Sequence, residues 1–224
     1  MKTLEFKILS DEVLSFENFI DVMLNQASFP NTLGDLHKWI KGEYCKSGRH
    51  YHNFEHIGDC LINLSMFRDS VDHGIYGNSQ AIFTAIYFHD IVYFPGRNNN
   101  EELSATVAES ALISLGCKKD FIELVKKLIM ATKHNQVLET DEEKLIADID
   151  LLGFALPWEK YLEMTTKIYE EFGALYTKSE FINRRKGFLR KNFFSKDRIY
   201  YTPYFYENCE KSARDNFQRF LALE

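Results

Sequence analysis

The 224-residue chain is poor in helix breakers, with only 4 prolines and 11 glycines. These cluster in a few places, leaving long stretches free to run as helix between short connections. Its four cysteines (Cys45, Cys60, Cys117 and Cys209) are far apart and form no CxxC pair. They read as small buried hydrophobes, reduced thiols in a cytoplasmic protein. No uncharged apolar run reaches the roughly 18–20 residues needed to cross a bilayer, which excludes a membrane partner. The opening Met1-Lys-Thr-Leu-Glu-Phe-Lys7 carries charges where a secretory leader needs an apolar run. Period-two alternation is sustained nowhere, and no repeat, low-complexity tract or linker divides the chain.

The chain does have a globular balance of 45% apolar and 27% charged residues, enough to build one substantial core. The expectation is an all-α protein: a single domain over 1–224, with its core at about 30–156 and C-terminal helices 157–224 packed on it. The formal net charge of −6 disfavours long nucleic acid as a partner. Between Arg184 and Arg198, however, seven basic residues face one acidic residue. That segment is either a solvated helix face with snorkelling side chains or an attractor for a phosphorylated ligand.

Helical spacing dominates. Leu14, Ile20, Met23 and Leu24 mark a first amphipathic stretch. Asn31 or Thr32 can cap a second, running through Leu36, Trp39 and Ile40 to about Cys45. Asn53 is a good N-cap for a third, in which Phe54, Ile57, Cys60, Leu61, Leu64 and Phe67 repeat at helical steps. From Gly74 to Phe88 there is no charged residue, and 81–88 is apolar nearly all round, as in a helix at the middle of a bundle. Further helices are expected at 101–115 (closed by Gly116), 119–133, 141–156 and 158–176, then through the basic segment, and from about Phe205 to Leu223.

The chemistry belongs where polar groups would be costly without a purpose. His89-Asp90 directly follows the uncharged helix, so both side chains start from the interior. An unpaired buried carboxylate costs several kcal/mol, on the order of the penalty that a metal cation removes. The competing reading is a hydrogen-bonded core histidine and a helix-end aspartate. His56 stands in the first turn after Asn53, with His50 and His52 close by; His52 and His56 share one face if both are helical. In Asp148-Ile-Asp150-Leu-Leu-Gly153, the stripe Leu145, Ile149, Leu152 and Leu156 puts Asp148 at its edge and Asp150 away from it. Asp148 is thus expected to face inward, with Asp150 solvated or hydrogen-bonded behind the ligands. Two histidines and two aspartates without thiolates favour an octahedral divalent ion (Mn, Ni, Co, Fe or Mg) with positions open for water and substrate. Such an ion acidifies a bound water and draws charge from a phosphoryl oxygen.

Arg49-His-Tyr-His-Asn-Phe-Glu-His-Ile57, Phe88-His-Asp-Ile-Val-Tyr93, Asn100-Glu-Glu-Leu-Ser-Ala105, Thr132-Lys-His134 and Asp148-Ile-Asp-Leu-Leu-Gly153 follow one another in order. Together with Arg198-Ile-Tyr200 and Ala213-Arg-Asp-Asn216, they resemble the HD superfamily, in particular its predicted metal-dependent branch with an RHYHN..HI motif. The resemblance covers about residue 30 to the end and implies an HD-domain helical bundle. It implies metal ligation by His56, His89, Asp90 and Asp148. It also implies phosphomonoester or phosphodiester hydrolysis of a small phosphorylated substrate, with nucleotides among the candidates.

Around the metal, Arg49, His52 and Asn53 are expected to meet substrate, with Arg49 as a planar phosphate donor. Glu101 is a candidate base or second-metal ligand, or a first-turn acid favoured by the helix dipole. His134 is a candidate proton donor to the leaving group, or a C-terminal cation. Asp90 completes the catalytic set. Two other functions fit the same residues: a nucleotide-binding regulatory protein without turnover, and a di-iron oxygenase drawing on His52, His134 and Glu101. The oligomeric state leaves no mark in the sequence.

Overall fold

The computed structural model describes residues 32–70 and 78–223. The expected first amphipathic stretch, Leu14 to Leu24, lies outside them. Among the described residues there is no strand, and the all-α expectation holds. The described residues form nine α-helices in order: α1 Leu33–Tyr44, α2 Phe54–Ser70, α3 Ser79–Phe88, α4 Asn100–Ser114, α5 Lys119–Ala131, α6 Asp141–Asp150, α7 Trp158–Phe172, α8 Lys178–Leu189 and α9 Pro203–Ala222.

Local chemistry sets the ends. Thr32 accepts the Asp35 backbone N–H at the start of α1. The Asn53 side chain accepts from the N–H groups of Glu55 and His56, as an N-cap should. Thr140 with Glu143, and Thr177 with Glu180, close capping boxes on α6 and α8. Gly116 takes φ +71 just past α4, the left-handed position that a glycine there supplies.

Two stretches tighten or loosen. After α6 the chain continues as a 3-10 turn, Leu151–Ala155, so the helix expected over 141–156 ends at Asp150. After α8, a π-helical turn occupies Arg190–Phe194 within the basic segment.

One cluster of buried apolar side chains runs from Leu36 in α1 to Phe220 in α9. α3 lies within it, burying Ala81, Ile82, Ala85, Ile86 and Phe88 while packing on α5 and α2. It is not enclosed all round, because Phe83 and Tyr87 line an apolar cavity of about 730 Å³ shared with α1, α2, α4 and α5. α4 packs chiefly on α5, and α9 packs on the 3-10 turn. The C-terminal helices are therefore fastened to the segment that follows α6.

Candidate metal centre

His56 from the first turn of α2, His89 and Asp90 from the end of α3, and Asp150 from the end of α6 converge on one point. His56 Nε2 and His89 Nε2 are 3.3 Å apart, and each is 3.3 Å from Asp150 Oδ1. Asp90 Oδ2 lies 3.2 Å from His89 Nε2 and 3.9 Å from His56 Nε2. Ligands about 2.1 Å from a common octahedral centre stand roughly 3.0 Å apart when adjacent and 4.2 Å when opposite. The five separations just given fall in that range and all four atoms lie within 4.8 Å of one another, so the group can hold a metal ion.

The tautomers support the same reading. His89 Nδ1 is 2.9 Å from the Ile86 carbonyl, which can only accept, so Nδ1 carries a proton and Nε2 faces the cluster. Without a cation there, burial would lower the His89 pKa, but Asp90 and Asp150 outweigh it and hold the ring protonated well above the usual range. The same histidine holds Asp90 below the usual carboxylate range despite burial. Burial also opposes ionisation of Asp150, yet His134, His56 and His89 keep it well below that range. Charge is strongly concentrated at this point, as a cation site requires.

Of the four expected ligands, the structure brings together His56, His89 and Asp90; Asp150 takes the place of Asp148. Asp148 does face inward and is fully buried, but toward the C-terminal segment. Its Oδ1 accepts the Tyr201 N–H at 2.8 Å, while Oδ2 accepts the Thr202 N–H and hydroxyl, each at 2.7 Å. Burial pushes its pKa up to about 6 against these donors. The helical wheel was right that Asp148 faces the interior, but an inward position did not tell which buried side of α6 meets the cluster. The helix is buried on two sides, and the cluster faces the side that Asp150 occupies.

His134 also lies beside the cluster. Its Nε2 is 2.9 Å from Asp150 Oδ2, leaving Oδ1 to face the two histidines. To reach there it adopts φ +56, the only left-handed non-glycine among the described residues. Strained backbone of this kind is retained where the surrounding structure uses it. Its Nδ1 is buried without a partner.

His52 lies along the same wall. Glu171, near the end of α7, accepts the Tyr51 and His52 backbone N–H groups through Oε1, and its Oε2 lies 2.7 Å from His52 Nδ1. The ring also stacks on Tyr93 at 3.9 Å between centroids. Burial would lower its pKa, but Glu171 and then Asp90 outweigh it and raise it above the ordinary histidine value.

Two further expectations change. Arg49, expected as a phosphate donor, is not among the residues lining the cavity beside the cluster: its Nη1 donates to the His52 and Asp90 carbonyls and its Nη2 to the Ile91 carbonyl. It ties the loop before α2 to the turn that carries His89 and Asp90. Asn53 is likewise committed, with its Oδ1 capping α2 and its Nδ2 donating to the His50 carbonyl. Arg49 thus braces the turn that carries Asp90, and Asn53 the start of the helix that carries His56.

The cluster opens into a cavity of about 480 Å³, of a size that takes a small organic ligand. Asp90, Asp150, His52, His134 and Glu101 line its polar end, and Glu101 has a pKa raised by burial and by Asp90. Gly153 lies on the wall, where an added Cβ would come within 2.7 Å of Tyr51 Oη.

Glu171 was missed in the sequence, although it falls on the buried stripe of α7 with Met164 and Ile168. A charge on an apolar stripe was the available signal. Comparison with protein-family profiles, with curated proteins and with solved structures finds no match for this chain.

Proposed function

We propose that the chain is a metal-dependent phosphoester hydrolase of the HD type, acting on a small phosphorylated substrate with the nucleotides among the candidates. The observation that carries this reading is the convergence of His56, His89, Asp90 and Asp150, with Asp90 and Asp150 lining a cavity of ligand size. The ordered motifs that resemble the HD superfamily add the reaction class.

A divalent ion such as Mn, Fe, Ni, Co or Mg, bound by these four residues, would supply an acidified water and polarise a phosphoryl oxygen. His89 is preset for such an ion by its Nδ1–H bond to Ile86, and Asp150 is oriented by His134. His52, held by Glu171 through Nδ1 and with its pKa raised, would give a proton from Nε2 to the departing alkoxide. Glu101, at the same end of the cavity, is suited to receive a proton from the attacking water. Tyr51, Tyr93 and apolar side chains line the cavity, and water displaced from those walls by a bound substrate would strengthen the charge interactions there.

The test is metal analysis of the purified chain, followed by phosphomonoesters and phosphodiesters assayed with each of the five ions. Turnover that Asp90→Ala abolishes together with metal binding supports the proposal. Stoichiometric metal with no phosphoester turned over would instead favour the non-catalytic ligand-binding reading.

A further inference from the structure

Arg185 differs from the other arginines around this site. It sits on α8 between Phe181 and Phe188, lines the cavity that contains Asp90 and Asp150, and is 91% buried (9% relative exposure). Its Nε and Nη2 are buried with no hydrogen-bond partner. These two N–H groups form one edge of the planar guanidinium, the edge that grips a carboxylate or phosphate with two parallel bonds. The Tyr161 and Thr165 hydroxyls are buried beside it, also short of a well-formed hydrogen bond, and the Tyr161 hydroxyl is close enough to interact weakly with both Arg185 and Thr165.

The neighbouring cations are already engaged. Arg49 donates to three carbonyls, Lys133 to the Asn98 carbonyl and the Glu102 carboxylate, and Arg184 lies over the Tyr176 ring at 4.3 Å. A buried charge with an open two-donor edge is costly unless an anion completes it. Tyr51 and Tyr93 line the same cavity and feel both the Arg185 and the Asp90 charges, which places the guanidinium within electrostatic reach of the metal-binding end.

We propose that Arg185 is the oxyanion-binding residue of this cavity, receiving the phosphoryl group of the substrate while the group's far side meets the metal-binding end. The rest of the substrate would then lie against Met164, Ile168, Phe172, Phe181, Phe188 and Phe193. The substrate class is thus a compact monophosphate with an apolar or flat organic part. The assignment rests on the phosphoester reading for the identity of the anion, whereas the open guanidinium edge stands apart from that reading.

Calorimetric titration of the full chain with inorganic phosphate, with and without Mn²⁺, tests it. Relative to wild type, Arg185→Met should bind phosphate at least tenfold more weakly and Arg185→Lys should fall between. Mn²⁺ affinity and melting behaviour should stay close to wild type in Arg185→Lys. Arg184→Met controls for general charge and should lose less than threefold. Equal losses in the two methionine variants, unchanged phosphate affinity in Arg185→Met, or no phosphate binding by wild type would each overturn the assignment. If Mn²⁺ fails to bind any variant, the metal-hydrolase reading fails, while the metal-free phosphate comparison still decides the role of Arg185.

Discussion

Asp148 and Asp150 are separated by one residue, yet they serve opposite sides of α6. Asp148 is fully buried and meets three donors from the Tyr201–Thr202 segment, so its surroundings consume its hydrogen-bonding capacity. Asp150 keeps a fifth of its side chain exposed, uses one oxygen on His134, and turns the other toward two histidine nitrogens. Complete satisfaction marks the structural carboxylate, and a carboxylate oxygen facing other ligands marks the chemical one. Burial alone ranks the two in the wrong order.

The largest expected effect breaks the Asp150 side. Asp150→Ala should reduce Mn²⁺ content to less than about a tenth of wild type and lower kcat/KM by on the order of 100-fold or more. Metal analysis and steady-state kinetics read both. Asp148→Ala should leave metal content near wild type and act on stability, since it orphans three donors. A loss of about 2 kcal/mol, or roughly 4–8 °C in Tm, is expected by calorimetry. Because the Asp148 pKa is raised to about 6, its contribution is most favourable below the ordinary carboxylate range and is lost as the pH rises through about 6. Asp148→Ala should remove that slope from the stability–pH curve. Loss of metal in Asp148→Ala, with metal kept in Asp150→Ala, would reverse the assignment.

Arg49→Met comes next, at about 2–3 kcal/mol of stability, because a charged fork serving three carbonyls disappears. Lysine should recover little of it, having no planar fork, and denaturant unfolding checks both variants. The smallest effect is expected from Glu171→Gln. Glu171 is held below its ordinary pKa by His52 despite burial, while His52 is held above its own. Their mutual stabilisation is therefore lost as pH falls through the lowered Glu171 value and again as it rises through the raised His52 value. The glutamine variant should shift the His52 ring titration down, as NMR of the imidazole protons would show. An unmoved titration would remove Glu171 from its positioning role.

Much of this was legible in residue order. His89-Asp90 was marked by the uncharged stretch before it, and Asn53 by the apolar steps of α2 after it. The helices followed from periodicity and sparse breakers. Other features depended on contacts across the chain. Nothing near Arg49 shows that its acceptors lie at Asp90 and Ile91, 41 and 42 residues away. Which buried side of α6 meets the histidines is likewise set by how α2 and α3 pack on it, and the 3-10 turn after it packs on α9. Glu171 and Arg185 lay between these cases, since both are charges on buried helical stripes and such misfits can be read from sequence.

The Asp148 latch also bears on the order in which the molecule can be assembled during synthesis. The amides it needs lie 53 and 54 residues downstream, whereas all four members of the metal cluster have been made by residue 150. A growing chain thus carries its complete ligand set while the aspartate next to it still awaits its partners. Growing chains of increasing length should become protease-resistant around α6 only once Tyr201 and Thr202 have left the ribosome, even if they hold metal earlier.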